Sequence, residues 1–375
     1  MGRLLDNWTT DQLDNWQTPM PPLIEIKDVD RGFYDSHLRD FLPHRIIDVH
    51  THVWKDELPA ASDAATAARV ASWPSRVALT NPVEYLHETY RLMLPDELVT
   101  PVIFGSPTAA GGVDPQNAYV EECRRRCNVP ALLLSLPEWP ADVLESKIAA
   151  GGFIGIKPYL SFAPAYLPPG EIRIFDFLPP HQLEVIDRHG WIAMLHVPRP
   201  ARLRDSVNIA QMLEIDRRFP NAQVIIAHVG RAYCPEDVGD AFEYLAPASR
   251  LMFDISANTN DYVFRRLLDA VGPQRVLFGS DMPILRMRMR RTCVRTQRPP
   301  AARYVNIVPR GLYGDVSGDP HMREVDGPEA DRLTFLLYEE LDAFRRAARA
   351  CGLSAGDVES VFYGNASRVI EKARS

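Results

Sequence analysis

The segment Asp48-Val49-His50-Thr51-His52 places two histidines two residues apart at the end of a short apolar run. On a β-strand, residues two apart point to the same face. His50 and His52 can therefore offer both imidazoles to one ion if that face lines a pocket. Two histidines do not make a metal site by themselves, because a protein site for Zn²⁺ needs three or four ligands. The meaning of this segment depends on what the rest of the chain supplies.

Later apolar runs also end in residues that can bind a metal, namely His196, His228 and Asp281. Lys157 closes a similar run, Phe153–Ile156. Imidazole nitrogens and carboxylate oxygens are ligands of Zn²⁺ and of neighbouring first-row metals. Each of these residues alone has an ordinary structural explanation, but four histidines and an aspartate at strand ends do not. The pattern predicts a metal centre built from residues that are far apart in the sequence.

Apolar runs alternate with longer amphipathic stretches from about residue 46 onward, and this alternation predicts eight strands connected by helices. The predicted strands lie near residues 46–52, 98–105, 129–136, 153–159, 191–196, 222–228, 250–256 and 276–281. Runs such as Ala131–Leu136 are almost continuously apolar, as in parallel strands buried on both faces. Eight such units predict an α/β fold, a (β/α)8 TIM barrel. The alternative, an open doubly wound sheet, is disfavoured because no Gly-x-Gly-x-x-Gly follows an early strand.

The rest of the chain divides around this barrel. We interpret residues 1–45 as an N-terminal arm and residues 46–375 as the barrel itself. Residues 284–328 predict a long insertion after the last strand, which we expect to belong to a lid because loops after barrel strands lie on the catalytic face. The predicted helices are Val83–Leu94, Asn117–Arg126, Pro180–His189, Asp205–Phe219, Asp261–Val271, Glu329–Ala350 and Ala355–Phe362.

The motifs at the strand ends resemble those of the amidohydrolase superfamily of metal-dependent barrel enzymes. Within it, the chain is most similar to the branch with aminocarboxymuconate-semialdehyde and resorcylate decarboxylases and related lactone hydrolases. The resemblance covers roughly residues 45–283 and 329–372 and leaves the arm and the insertion unexplained. The motifs that carry it are Asp48–His52, Ile225–Gly230, Phe278–Pro283 and Phe362–Arg368.

The resemblance implies one divalent metal ion, with zinc expected first and manganese second. The implied ligands are His50, His52, His196 and Asp281. Asp281 would also accept a proton from the attacking water, and His228 would orient or protonate the substrate. In two-metal branches a lysine on strand 4 is carboxylated and bridges the ions, so a second metal is expected only if Lys157 is carboxylated. The alternative is a free ammonium group that holds a substrate carboxylate or carbonyl.

Basic and aromatic side chains near the strand ends predict a small, anionic substrate, because guanidinium groups suit bidentate recognition of carboxylates. The candidate substrate-binding residues are Lys157, Tyr159, Arg199, Arg231 and Arg286. We expect most other arginines of residues 286–298 to be solvated or paired with acidic groups. No nucleic-acid partner is expected, because the net charge is −7 and this arginine cluster lacks interleaved aromatic residues.

The predicted activity is hydrolysis of an amide, ester or lactone bond through a metal-activated water. The alternative is a lyase, a metal-dependent non-oxidative decarboxylase of an aromatic or unsaturated carboxylic acid. Both would use the same ligands, so the motifs do not separate them. A metal-binding barrel that acts only as an interaction protein is disfavoured, because every expected catalytic position is filled.

Composition sets the remaining expectations for this 375-residue chain. No apolar run approaches the roughly 18 residues of a membrane span, and Met1–Met20 is polar where a secretory signal would be apolar. We therefore expect a cytoplasmic protein with no membrane partner, whose five cysteines are reduced thiols. The arm and the family resemblance favour a homo-oligomer. Asp48 is expected to share a face with the two histidines of its strand and to be buried and hydrogen-bonded.

Overall fold

The computed structural model describes residues 23–55, 76–108, 112–296 and 302–375. Predictions for the first half of the arm and for Arg298 lie outside these described residues. Eight strands follow one another in chain order, and all lie within a few residues of their predicted positions. They are β1 Arg45–His52, β2 Leu98–Phe104, β3 Leu133–Ser135, β4 Gly155–Pro158, β5 Ile192–Leu195, β6 Gln223–Ile226, β7 Met252–Asp254 and β8 Val276–Leu277.

The strands are parallel and form a ring in sequence order. Strands β3 to β8 make a six-stranded sheet, and β1 pairs with β2. A parallel bridge between Ile103 and Ala131 connects β2 to the residues before β3. A second parallel bridge, between Thr51 and Met282, connects β1 to the residues after β8. The predicted (β/α)8 architecture is therefore confirmed.

Helices alternate with the strands, and no helix of the described residues is long and apolar enough to cross a membrane. Pro180–His189 and Asp261–Val271 have their predicted bounds. The other long helices are Val83–Met93, Val113–Cys127, Ala141–Gly151, Ser206–Arg218, Leu336–Ala350 and Asn365–Arg374. The shorter ones are Asp28–Phe33, Ile174–Phe177, Ala241–Leu245, Gly327–Asp331 and Ala355–Glu359. The helix predicted over 329–350 is thus interrupted.

The last helix, Asn365–Arg374, was not predicted, and it closes one end of the barrel. Its apolar residues Val369 and Ile370 pack with interior residues such as Ile47 and Ile192, which lie early in their strands. The histidine pair ends β1 and therefore lies at the opposite end. The barrel is closed at one end, which leaves the C-terminal ends of the strands as the place for a site.

A β-bulge in β1 separates Asp48 from the histidines. The pairing register with β2 shifts between Asp48 and Thr51, so the alternation of faces is interrupted there. Asp48 is fully buried and hydrogen-bonded, as predicted. Its carboxylate, however, accepts a hydrogen bond of 2.8 Å from the hydroxyl of Tyr90, which lies in the helix Val83–Met93 outside the barrel. The expectation that Asp48 shares a face with His50 is wrong, because the extra residue in the bulge breaks the alternation of side chains between the two faces of the strand.

The insertion after β8 forms its own three-stranded sheet. Strand β10, Ala302–Pro309, lies between β9, Arg290–Arg295, and β11, Met322–Val325. A disulfide between Cys234 and Cys293, with Cα atoms 5.8 Å apart, joins β9 to the segment after β6. The prediction of reduced thiols is therefore wrong for these two cysteines, because the fold brings together residues that are 59 positions apart. The other three cysteines, Cys123, Cys127 and Cys351, are free thiols.

The start of the insertion is held by a buried ion pair. Arg288 donates to both carboxylate oxygens of Asp30, at 2.8 and 2.6 Å, and Thr334 donates to the same carboxylate at 2.7 Å. Arg288 is thus paired with an acidic group, as expected for most arginines of this segment, although the pair is buried rather than at the surface. Asp30 lies in the helix Asp28–Phe33, so this pair fastens the chain before β1 to the chain after β8.

Replacing Asp30 by Asn should lower the free energy of unfolding by about 3 kcal/mol, because it leaves the Arg288 guanidinium buried without a counter-charge. Urea-induced unfolding monitored by circular dichroism measures this change. The matched control is Asp28→Asn in the same helix, whose carboxylate is exposed and pairs with exposed Arg31. The control should leave the unfolding midpoint unchanged. Equal midpoints for the two variants would contradict the role of the pair.

Candidate active site

Five predicted residues converge at the C-terminal end of the barrel. The Nε2 atoms of His50 and His52 lie 3.5 and 3.3 Å from Oδ1 of Asp281. The Nε2 atoms of His196 and His228 lie 2.9 Å apart. In each of two groups, His50 with His52 and Asp281, and His50 with His196 and His228, the candidate ligand atoms lie within 4.8 Å of one another. His50 belongs to both groups, so the cluster surrounds its ring.

In three of these imidazoles, Nδ1 lies within hydrogen-bond distance of an oxygen that can only accept. The pairs are His50 Nδ1 with Asp254 Oδ2 at 3.0 Å, His52 Nδ1 with the Gly105 carbonyl at 3.2 Å, and His228 Nδ1 with the Ser256 carbonyl at 3.0 Å. Carbonyl and carboxylate oxygens accept, so each Nδ1 carries a hydrogen, which leaves Nε2 as the nitrogen that can bind a metal. Such outer contacts fix ring orientation in histidines that bind metals.

The cluster contains a buried nitrogen lone pair with no group to satisfy it. His50 Nε2 is buried and has no hydrogen-bond partner in the part of the chain that the structure describes. Buried polar atoms are seldom unpaired in folded proteins. Burial and the nearby charge of Lys157 lower the pKa of His50 to about 3, so its ring is neutral at pH 7. A neutral imidazole beside a carboxylate is the donor set that a divalent metal requires, and the residues present therefore fit such an ion.

Asp281 enters the cluster through unusual backbone geometry. Its φ is +58°, in the left-handed region, and its amide donates to the His50 carbonyl at 2.8 Å. Backbone strain of this kind is concentrated at functional sites. Burial alone would raise the pKa of the carboxyl group, but the neighbouring histidines lower it to about 2. Asp281 is therefore ionised throughout the neutral range.

Asp254 is a site residue that the sequence analysis missed. It ends β7 and accepts the His50 ring hydrogen at 3.0 Å and the His228 amide at 2.8 Å. Burial raises its pKa, but His50 and His228 outweigh burial and hold the pKa well below its usual value. The signal was present, because an aspartate within a predicted strand end is the pattern that singled out Asp281.

Lys157 and Tyr159 lie on the wall of the cluster, where the sequence analysis expected substrate-binding residues. Lys157 is fully buried, and its Nζ has no hydrogen-bond partner among the described residues. It lies 5.4 Å from the Phe104 ring and 5.2 Å from the Tyr159 ring. Burial lowers its pKa to about 7. The Tyr159 ring lies 5.5 Å from the His196 ring, so both residues border the ligands.

The predicted arginines occupy three different environments. Arg231 donates to the carbonyl of Val197 at 3.1 Å and therefore lies beside His196. Arg199 forms an ion pair at 3.0 Å with Asp205, which caps the following helix, so its charge is already balanced. Arg286 is buried and hydrogen-bonded to Asn81. Their roles toward a substrate stay predictions.

Arg286 contacts the site through Asn81, which the sequence analysis did not single out. The Arg286 guanidinium donates to the Asn81 side-chain oxygen, and Asn81 Nδ2 donates to the His52 carbonyl at 2.6 Å. Burial lowers the pKa of Arg286 to about 9, and its Nε has no hydrogen-bond partner among the described residues. Arg286 therefore contacts the strand that carries His52 through Asn81. Its Nε–H group is left without an acceptor among the described residues.

The chain is similar to solved structures over most of its length. One is an amidohydrolase from Burkholderia multivorans with bound HEPES, at 15% identity, covering 87% of this chain and 99% of that one, with a TM-score of 0.52. The same description with bound zinc matches at 14% identity over the same shares, with a TM-score of 0.51. A 2,6-dihydroxybenzoate decarboxylase complexed with 2,6-dihydroxybenzoate matches at 12% identity, covering 88% and 100%, with a TM-score of 0.51.

A dihydroxybenzoic acid decarboxylase from a Polaromonas species, with bound manganese and 2-nitroresorcinol, matches at 12% identity, covering 88% and 97%, with a TM-score of 0.50. At these identities the likeness shows the fold alone. No curated protein sequence matches the chain. The family model described as Amidohydrolase matches residues 47–303, which include all five clustered residues and more than half of the chain. This chain belongs to the amidohydrolase family.

Proposed function

We propose that this protein is a metal-dependent hydrolase that cleaves an amide, ester or lactone bond in a small, carboxylated molecule. The observation that carries the proposal is the convergence of three other imidazoles and one ionised aspartate around His50, whose Nε2 has no hydrogen-bond partner among the described residues. Membership of a family of enzymes supports it. The geometry favours chemistry at this cluster over a role in binding other proteins, since packing alone does not require four imidazoles in one place.

The proposed cofactor is one divalent ion, zinc in preference to manganese. The proposed ligands are His50, His52, His196 and Asp281. Similar structures with bound zinc and with bound manganese support this choice. A bound ion of this kind polarises a carbonyl group and makes a water molecule more acidic. A second ion would require a carboxylated Lys157, but the buried Nζ of that residue, which has no hydrogen-bond partner among the described residues, is compatible with a simple amine as well.

The residues of the chain have distinct proposed tasks. Asp281 accepts the proton of the attacking water, because its low pKa keeps it ionised. His228 relays to the leaving group, through Nε2, the proton that Asp281 takes from water, since its Nδ1 hydrogen is engaged by the Ser256 carbonyl and Nε2 can first accept that proton. Lys157 and Tyr159 hold the substrate against the β4 wall. The further proposed substrate contacts are Arg199, Arg231 and Arg286.

The alternative proposal is a non-oxidative decarboxylase of an aromatic or unsaturated acid. It is supported by two similar structures that are decarboxylases of dihydroxybenzoates, and by the aromatic rings around Lys157. Asp281 or His228 would then deliver a proton to carbon. Release of CO₂ from 2,6-dihydroxybenzoate, compared with ring opening of carboxylated aryl lactones, distinguishes the two reactions.

Two expectations about the cellular setting stay predictions. A homo-oligomer is proposed from the arm and the family resemblance. A cytoplasmic location is proposed from the composition, but the Cys234–Cys293 disulfide weighs against it because disulfides are rare in that compartment.

Elemental analysis of the purified protein should find about one zinc or manganese ion per chain, as a four-residue site requires. His50→Ala should abolish binding, because His50 is the member common to both groups. The matched control is His44→Ala, whose ring is exposed and bonds the Asp96 carbonyl, and which should retain the metal. Two ions per chain would indicate a carboxylated Lys157. No metal in either protein would overturn the proposed cofactor.

Asp254→Asn should weaken metal binding by about 10- to 100-fold, because His50 loses the carboxylate that orients its ring. Competition with a chromogenic chelator measures the affinity. Asp331→Asn, at an exposed position, is the control and should bind as tightly as the wild type. An unchanged affinity in Asp254→Asn would show that the His50 contact is not needed for binding.

Asp281→Asn should lower kcat by about 100-fold or more, because the amide cannot accept the proton from water. The rate is to be measured on protein whose metal content has been matched to the wild type, so that lost binding is not mistaken for lost chemistry. Unchanged turnover with metal bound would remove Asp281 from the mechanism.

A further inference from the structure

The chain after β6 makes a left-handed turn that begins at His228. Four consecutive residues, His228, Val229, Gly230 and Arg231, have φ values of +56°, +49°, +61° and +60°. This region is unfavourable for most residues that carry a Cβ, and most of all for a β-branched residue such as valine. Only Gly230 adopts it without a steric cost. The other three residues keep this backbone only because their surroundings hold it in place.

The start of the turn is held by the barrel. Asp254, at the end of β7, accepts the His228 amide at 2.8 Å, and the Ser256 carbonyl accepts the His228 ring hydrogen at 3.0 Å. The bond to the carboxylate is charge-assisted and therefore stronger than a bond between neutral groups. Neither contact involves the insertion after β8, so the beginning of the turn is fixed by the barrel itself.

The end of the turn is held by hydrogen bonds between neutral groups. The carbonyl oxygens of Ala232 and Tyr233 accept from the side chains of Asn258 and Asn260, at 2.8 and 3.3 Å. Such bonds contribute little net stability, because the unfolded chain makes similar bonds to water. These two bonds are therefore weaker than the bond to Asp254 at the start of the turn.

The ring of Tyr233 connects the end of the turn to the insertion. It lies 5.0 Å from the ring of Tyr304 on β10, nearly perpendicular to it, and 4.9 Å from the guanidinium of Arg291 on β9. On its other side it lies 6.4 Å from the His228 ring. A shift of the insertion relative to the barrel would therefore reach Tyr233 and, through it, the turn.

The Cys234–Cys293 disulfide is the covalent connection at the same place. Cys234 directly follows Tyr233, and Cys293 lies on β9 of the insertion. Cys234 is fully buried, whereas Cys293 is exposed, so a reductant can approach the bond from the side of Cys293. Access of this kind matters because thiol–disulfide exchange begins with attack of a thiolate on one of the two sulfur atoms. The bond is thus open to reduction in the folded protein.

We propose that this disulfide is a redox-sensitive clamp that holds the end of the left-handed turn and thereby positions His228. A dithiol reductant supplies two electrons and two protons, the S–S bond breaks, two thiols form, and the dithiol becomes a cyclic disulfide. The end of the turn then keeps only its non-covalent contacts, and its strained residues relax. The consequence for proton transfer rests on the proposed role of His228, whereas the clamp itself does not.

The test is hydrogen exchange of the full chain, measured by mass spectrometry before and after reduction with dithiothreitol. Alkylation of Cys234 and Cys293 confirms that the bond is broken. Reduction should speed the exchange of the amides of residues 228–233 by about tenfold or more, because this segment opens locally. The helix Ala141–Gly151, between β3 and β4, is the internal reference and should exchange as before.

Three variants separate a clamp on strained backbone from general stabilisation. Cys293→Ser should exchange rapidly at residues 228–233 without reductant and should not respond to dithiothreitol, because it has no bond to break. Cys351→Ser removes a free thiol and should respond like the wild type. Arg231→Asn should show a smaller increase on reduction, since asparagine tolerates the left-handed region better than arginine. An increase of equal size in Arg231→Asn would contradict the role of backbone strain.

Metal content separates the clamp from the proposed function. The four proposed ligands lie outside residues 228–233, so reduction and Cys293→Ser should leave the metal content at its wild-type level. Absence of metal from every form would overturn the proposed cofactor and leave the exchange result intact. The clamp would be overturned by unchanged exchange in fully reduced protein, or by a bond that dithiothreitol does not reduce in the folded chain. Equal acceleration in the reference helix would also overturn it.

Discussion

The hydrogen bond between the His50 ring and the Asp254 carboxylate, 3.0 Å long and fully buried, links β1 to β7 at the mouth of the barrel. It determines which nitrogen of His50 carries the hydrogen, and therefore that Nε2 faces the other ligands. The same carboxylate accepts the His228 amide at 2.8 Å and so also places a histidine two residues after the end of β6. One carboxylate thus aligns two histidines from different strands. Without it, the ligand cluster would lose both its orientation and its assignment of hydrogens.

The rest of the site is built outward from that alignment. Asp281 reaches the cluster because its backbone adopts a left-handed conformation and its amide bonds the His50 carbonyl. Lys157 supplies a buried amine on one side, held among aromatic rings. The insertion brings a buried arginine, Arg291, over the rings of Tyr233 and Tyr304. The barrel thus positions the candidate metal ligands, and the insertion packs beside them and is joined to the barrel by the Cys234–Cys293 disulfide.

Much of the candidate site could be predicted because strand ends in a barrel are equivalent positions. His50, His52, His196, His228 and Asp281 each end an apolar run, and any such residue must reach the same mouth once the ring closes. Asp254 follows the apolar residues Leu251–Phe253 and so meets the same criterion, but it was not predicted as a site residue. The prediction for the side chain of Asp48 was wrong for a different reason. Its face was derived from strict alternation, and the bulge between Asp48 and Thr51 adds a residue that no local pattern announces.

The sequence by itself determined the order of strands and helices, the fold class and the residues that could bind a metal. These follow from periodicity and from side-chain chemistry, which act over a few residues. Only the tertiary structure decided that Cys234 meets Cys293, that Arg288 is buried against Asp30, and that Arg291 lies over Tyr233. Each of these contacts joins segments more than 50 residues apart, through an insertion that has its own sheet. Their partners are chosen by how the insertion packs on the barrel, and local sequence patterns carry no information about that packing.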